Sequence, residues 1–150
     1  MRKNIFKTLL FTFGIISVNV LSAQVTMNNI DQRLIDVYGE SRIQELIFEQ
    51  PQFIDYMNYY VKNGYQILYN VPERKLPYFK DISTISNSRT REIITPNDLD
   101  NLNILLLDIQ RKQDEHLTYK VGDSGTVVVF VAPKNVLRDF NALKEMEGKR

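Results

Sequence analysis

The chain has 150 residues, no cysteine, and 19 basic against 18 acidic side chains, which gives a net charge of +1. The absence of cysteine excludes disulfides and thiolate metal sites, and a charge so evenly balanced lacks the clustered Lys and Arg surface that nucleic acid binding requires. A chain of this length is expected to fold around a single core.

Residues 1–23 have the pattern of a secretory signal peptide. Three basic residues precede a mostly apolar stretch over residues 8–21, and the small residues Ser22 and Ala23 stand directly before Gln24. The apolar stretch is shorter than the roughly 20 residues that a membrane-spanning helix needs. We therefore expect cleavage after Ala23 and export of the remainder.

The junction Leu21-Ser22-Ala23-Gln24 resembles the cleavage sites of many exported proteins of Bacteroidota, in which Gln often follows the final Ala. The rest of the chain looks like the small envelope proteins of that group. The resemblance implies a location in the periplasm or outside the cell. Residues 24–150 are then a single domain with 16 basic and 18 acidic side chains, a net charge of −2.

Apolar residues at helical spacing predict three successive helices after the signal. The first runs over residues 27–38 and is closed by Gly39, a residue suited to the left-handed conformation that ends many helices. The second begins at Ser41, which opens a capping-box pattern, and ends near Gln50. The third begins at Pro51, because proline is favoured at the first helical position.

Beyond Gly64 the apolar period changes from 3.6 to 2, which predicts a strand over residues 65–71. Residues 72–96 are expected to form a long connection with one edge strand, and such connections are often mobile or in contact with partners. Residues 96–110 fit helical and alternating patterns equally well. We favour a short helical turn followed by a strand over residues 103–110.

Two clearer strands, 117–121 and 126–132, flank a glycine-containing turn and predict a β-hairpin. A last helix follows Pro133, and four apolar residues are expected to line its buried face: Val136, Leu137, Phe140 and Leu143. The expected fold class is α+β, with a helical N-terminal part, a small mostly antiparallel sheet containing the C-terminal hairpin, and a closing C-terminal helix.

The turn Gly122-Asp123-Ser124-Gly125 resembles the segment around the nucleophile of trypsin-like serine proteases. Such a resemblance implies Ser124 as nucleophile and His116, the one histidine, as its base. The proteases place their His and Asp far earlier in a longer, two-barrel domain. We therefore favour a simple turn and a solvated loop histidine, and keep a small hydrolase as an alternative.

Carboxylates in the chain suggest two further kinds of site. Asp98, Asp100 and Asp108 offer oxygen ligands for calcium, but the central Gly and closing Glu of a helix-loop-helix site are missing. Glu45 and Glu49 lie one helical turn apart, which is typical of an exposed face. We expect no metal, no cofactor and no catalytic residues.

Tyrosines are dense around the third helix and the first strand. Tyr56 and Tyr60 share one helix face, whereas Tyr59 projects elsewhere and is the better surface residue. Tyr side chains bury area while keeping a polar end, which suits contacts with partners or sugars. The candidate binding residues are Tyr56, Tyr59, Tyr65 and Tyr69. The sequence favours a non-catalytic envelope accessory protein that binds another envelope protein through this tyrosine-rich junction and the connection over residues 72–96. A carbohydrate- or peptide-binding module is a further alternative.

Overall fold

A computed structural model describes residues 25–149, so the expected signal peptide at residues 1–23 lies outside the described residues. The helices are α1 (Gln32–Tyr38), α2 (Glu40–Glu49), α3 (Pro51–Asn63) and α4 (Pro133–Glu147), and the strands are β1 (Tyr65–Leu68), β2 (Lys80–Asp81), β3 (Leu117–Lys120) and β4 (Val127–Phe130). Across the described range, no helix combines the length and the apolar character needed to cross a membrane. The predicted α+β class is confirmed.

The strands form one four-stranded sheet in the order β1-β4-β3-β2. β4 pairs antiparallel with both β1 and β3, while β2 pairs parallel with β3, so the sheet is mostly antiparallel as predicted. The predicted hairpin is confirmed as β3 and β4. Its turn requires glycine twice, because Gly122 and Gly125 have φ angles of 54° and 70°.

The core lies between one face of the sheet and the N-terminal helices. Val128 and Phe130 of β4 are completely buried on that face. They belong to one cluster with apolar residues from α1, α2, α3, the segment over residues 82–104 and the end of β3: Leu34, Ile43, Leu46, Ile54, Val61, Ile82, Ile85, Ile94, Leu99, Leu102, Ile104 and Val121. This cluster draws on α1, α2, α3, the connecting segments and the sheet, while the buried Val136 and Phe140 of α4 lie outside it.

The first predicted helix is divided in two. A 3₁₀-helix covers Met27–Asn29, and α1 starts afresh at Gln32 because the Asp31 side chain accepts a hydrogen bond from Arg33 N at 3.1 Å. Gly39 closes α1 with a φ of 79°, as predicted, and also precedes α2 directly. The predicted cap at Ser41 is therefore wrong: this residue already lies inside α2.

Residues 65–71 form a shorter strand than predicted. β1 ends at Leu68 because Asn70 adopts a φ of 56°, a left-handed conformation that asparagine tolerates better than most residues. Val71 N then bonds to Gly125 O at 2.8 Å, so the chain stays beside the hairpin turn without continuing the ladder. The side chain of Tyr69 is consequently 65% exposed.

The predicted strand over residues 103–110 is wrong. These residues instead contain a 3₁₀-helix at Ile104–Leu106, and only one isolated bridge joins Leu107 to Asn87. The predicted helical turn before them is present as the 3₁₀-helix Pro96–Asn101. Alternating leucines suited both patterns, and burial of Leu102 and Ile104 in the core was satisfied by tight turns.

The connection over residues 72–96 contributes to the core. It contains a 3₁₀-helix at Glu73–Tyr78 and the expected edge strand, β2. Four of its apolar side chains are buried: Leu76, Ile82, Ile85 and Ile94. At the other end of the chain, α4 starts at Pro133 as predicted and buries Val136 and Phe140, but Leu137 is 45% exposed and does not join them.

Candidate functional site

An open depression lies where α3 passes into β1, beside the start of α4. Its volume is about 420 Å³. Two of the four candidate tyrosines, Tyr59 and Tyr65, line it together with Lys62, Asn63, Gln66, Val131, Val136 and Asp139. We call this feature the Tyr59–Tyr65 depression.

Gly64 creates the tight connection that brings the two tyrosines together. A Cβ atom at this position would lie 2.6 Å from Tyr60 O and 2.9 Å from the Cδ1 atom of Ile104. Since both distances are shorter than real Cβ contacts, only glycine lets α3 end against the core and β1 begin one residue later. The backbone of Gly64 also joins the sheet, because its carbonyl accepts from Val131 N at 2.9 Å.

Tyr59 is held from behind by α4. Its ring centroid lies 5.4 Å from that of Phe140, and Tyr56 contacts the same Phe140 ring at 5.4 Å in an edge-on arrangement. Tyr56 also packs on Tyr60 at 5.9 Å, and burial raises the pKa of both hydroxyls. Tyr56 therefore belongs to the packing between α3 and α4, whereas Tyr59 shares that packing and also reaches the depression.

Tyr65 is tied to α1 through its hydroxyl. Arg33 Nη1 donates to the Tyr65 hydroxyl oxygen and to the Leu102 carbonyl, both at 3.3 Å. The same guanidinium donates two hydrogen bonds, of 2.8 and 2.9 Å, to the carboxylate of Asp31. These hydrogen bonds lower the pKa of Asp31. They also fix the guanidinium of Arg33, which in turn holds Tyr65 at the edge of the depression.

The electrostatics of the Tyr59–Tyr65 depression are uneven. Asp139 is compensated by Arg138, whose Nη2 atom lies 2.9 Å from its carboxylate. Lys62 is exposed at the end of α3 and forms no salt bridge with a carboxylate of residues 25–149, although its charge contributes to the lowered pKa of Asp31. The ammonium group of Lys62 is therefore available to an acidic group of a ligand.

Tyr69, the remaining candidate, does not line the depression. It follows β1 and projects into solvent, and its neighbour Leu68 is 44% exposed. The structure thus brings together Tyr59 and Tyr65, places Tyr56 behind them, and separates Tyr69.

Sequence reasoning missed Arg111, which fastens the loop before β3 to the rest of the fold. Its guanidinium donates to the Tyr60 hydroxyl and to the Val131 carbonyl, and lies 5.4 Å from the Tyr60 ring centroid. Burial lowers the pKa of Arg111, and among the described residues no carboxylate pairs with it. A single arginine in a polar stretch carries no pattern that would have revealed this role.

The proposed hydrolase pair is not assembled. His116 precedes β3, where its Nδ1 atom accepts from Ala132 N at 3.3 Å, while Ser124 sits in the turn at the opposite end of the hairpin. The Ser124 hydroxyl donates to Val121 O at 2.7 Å. The length of β3 separates the two side chains, roughly 13 Å at about 3.3 Å per residue, so His116 cannot take a proton from Ser124.

Four of the five carboxylates singled out from the sequence have structural partners; Asp100 makes no side-chain hydrogen bond or salt bridge within residues 25–149. Asp98 Oδ2 accepts from both the backbone and the hydroxyl of Thr95 at 2.7 Å, which completes a capping box, and Asp108 pairs with Arg91 at 3.4 Å. Glu45 and Glu49 both face Arg42 on α2. Residues 25–149 hold no group of three or more His, Asp or Glu side chains placed to bind a metal ion.

A second depression, of about 690 Å³, lies between the 3₁₀-helix Pro96–Asn101 and the turn over residues 87–92. Several asparagine side chains line it, and two of them make hydrogen bonds within the protein. Asn87 Oδ1 accepts from Arg89 N at 2.8 Å, and Asn103 Nδ2 donates to Arg33 O at 2.8 Å. These two amides are therefore engaged within the fold.

Comparison with protein-family models, with curated proteins and with solved structures found no similar family, protein or fold.

Proposed function

We propose that this protein is an exported, non-catalytic accessory protein of a bacterial envelope that binds another envelope protein through the Tyr59–Tyr65 depression. One observation carries the binding role: two tyrosines are held by separate elements so that both border one open depression. Tyrosines that are already fixed lose little conformational freedom when a partner binds. The free ammonium of Lys62 adds a point of attraction for an acidic group.

Export is supported by the sequence of residues 1–23 and by the resemblance of the cleavage junction to those of Bacteroidota. The full chain expressed in a bacterium of that group should yield a protein whose first residue is Gln24. Intact mass and fractionation of the cells measure this directly. A product that retains residues 1–23 in the cytoplasm would contradict the proposal.

Binding is tested by cross-linking in the envelope, capture and mass spectrometry with matched variants. Tyr59→Phe keeps the ring on Phe140 and removes only the hydroxyl, whereas Lys62→Glu reverses the free charge. We expect Lys62→Glu to lose the partner while its thermal midpoint falls only slightly, because the reversed charge stands at the C-terminal end of α3 and loses its attraction to Asp31. Leu137→Ala alters an exposed side chain outside the depression and should retain the partner.

Two outcomes would assign a different role. Equal recovery of the partner by Lys62→Glu would place the contact elsewhere on the surface. Binding of purified protein to a glycan or muropeptide array, abolished by Lys62→Glu and Tyr59→Phe, would make the depression a carbohydrate site, because polar groups beside an aromatic ring also suit sugars.

A further inference from the structure

The sheet ends at β1, and the outer side of this strand carries peptide groups without partners in the described chain. Val131 N donates to Gly64 O, so residues 64, 66 and 68 direct their peptide groups toward β4. Tyr65, Ile67 and Tyr69 must then direct theirs outward. None of these three makes a backbone hydrogen bond to residues 25–149 on that side.

This edge lacks the charged residues and prolines that often block strand addition. Residues 65–70 contain neither, although β1 is short, with four residues. The opposite edge is more strongly protected, because β2 has only two residues, Lys80 and Asp81, and both are charged. Of the two edges, β1 is therefore the one better suited to receive another strand.

We propose that a second copy of this chain pairs antiparallel with β1, with Ile67 opposite the same residue of the other copy. This interaction goes beyond the proposed binding of an envelope protein. In this register Tyr65 lies opposite Tyr69, and the outward peptide groups of Tyr65, Ile67 and Tyr69 all find partners. A register centred on Gln66 leaves Tyr69 unpaired. The product is one continuous sheet through both copies, related by a twofold axis.

Self-pairing also fits the side chains along the edge. Since residues 65–70 are uncharged, an antiparallel twofold arrangement brings no like charges together. It sets the half-exposed Leu68 beside Gln66 of the other copy, and the largely exposed Tyr69 beside Tyr65. Tyr59 and Lys62 precede β1 and stay outside the paired residues, whereas Tyr65 and Gln66 belong both to the depression and to the paired strand, so pairing changes one side of the depression.

Charged substitutions at two exposed positions of β1, Gln66 and Leu68, test the pairing in the protein purified from the cell. Gln66→Lys with Leu68→Lys places like charges opposite each other twice, and we expect the dimer dissociation constant to rise about tenfold by sedimentation equilibrium. Gln66→Lys with Leu68→Glu places opposite charges there and should keep the dimer. A wild-type protein that is monomeric up to high micromolar concentration would overturn the proposal.

The cysteine-free chain allows a second test that reports the register. Gln66→Cys and Leu68→Cys are prepared as separate variants, and their side chains lie opposite each other only between copies. Mild oxidation of the mixture should give a disulfide-linked dimer, while each variant alone should give little. Efficient linkage of Gln66→Cys alone would overturn this register, and no linkage in any sample would overturn the pairing.

Discussion

The hydroxyl oxygen of Tyr65 on β1 accepts a hydrogen bond from Arg33 Nη1 on α1 at 3.3 Å, so the strand bordering the depression is tied to the first helix. Tyr65→Phe removes this bond and keeps the ring. Because Arg33 retains Asp31 and Leu102 O, we expect the free energy of unfolding to fall by about 0.5–1 kcal/mol in urea titration. Tyr59→Phe, whose hydroxyl bonds nothing in the described range, should cause no change.

Asp31 should make the stability of the protein depend on pH in the acidic range. The hydrogen bonds from Arg33 lower its pKa below the ordinary 3.8, so the folded state favours the ionised carboxylate. The contribution of Asp31 to the free energy of unfolding is therefore complete above its ordinary pKa and is lost as the pH falls through the lowered pKa. Asp31→Asn keeps a residue that caps helices well but removes the charge.

We therefore expect the thermal midpoint of Asp31→Asn to change less than that of the wild type between pH 5 and pH 2.5 by differential scanning fluorimetry. Asp36→Asn, on the exposed side of the same helix, provides the control. Parallel pH profiles for wild type and Asp31→Asn would show that the pair with Arg33 does not govern acid stability.

Gly64→Ala should be strongly destabilising. The added Cβ would meet a backbone oxygen at 2.6 Å, and a backbone atom cannot move aside as a flexible side chain can. We expect a loss of about 2–3 kcal/mol, as for other overpacked sites. Gly148→Ala is the matched control: its Cβ would lie 3.5 Å from Lys144 O, an ordinary contact, so stability should stay constant or rise. Equal midpoints for the two variants would contradict the close approach.

Arg111→Lys should destabilise the protein although it preserves the charge. The planar guanidinium bonds the Tyr60 hydroxyl and the Val131 carbonyl at once and lies over the Tyr60 ring, which a lysine ammonium cannot reproduce. We expect a loss of about 1–2 kcal/mol in urea denaturation. Arg138→Lys changes an exposed arginine and should leave the midpoint within error. If Arg111→Lys lost no more stability than Arg138→Lys, the two hydrogen bonds of the Arg111 guanidinium would have no structural role.

Local chemistry made several elements predictable from the sequence. Pro51 and Pro133 begin helices because their fixed φ and missing N–H suit that position, and the glycines between β3 and β4 permit the turn. The strand expected over residues 103–110 is absent because alternation alone cannot distinguish a ladder from tight turns that pack the same side chains, Leu105, Leu107 and Ile109, against the core. Gly39, with its φ of 79°, replaced Ser41 at the start of α2.

The candidate site was only partly predictable. Helix geometry separated Tyr59 from Tyr56 and Tyr60, but the position of Phe140, which holds both Tyr56 and Tyr59, depends on how α4 folds back on α3. That contact joins residues more than 80 positions apart, and no local pattern encodes it. The close approach at Gly64 is likewise tertiary, since its φ of −74° is ordinary for any residue.

The strand order has a consequence for the proposed export of the protein. The edge strands β1 and β2 come from the middle of the chain, but both central strands lie beyond residue 116, so the sheet cannot form until nearly the whole polypeptide is available. Such late, long-range closure slows folding. A chain that emerges from the ribosome without its central strands stays open, and a transport channel that accepts only unfolded polypeptide has time to engage it.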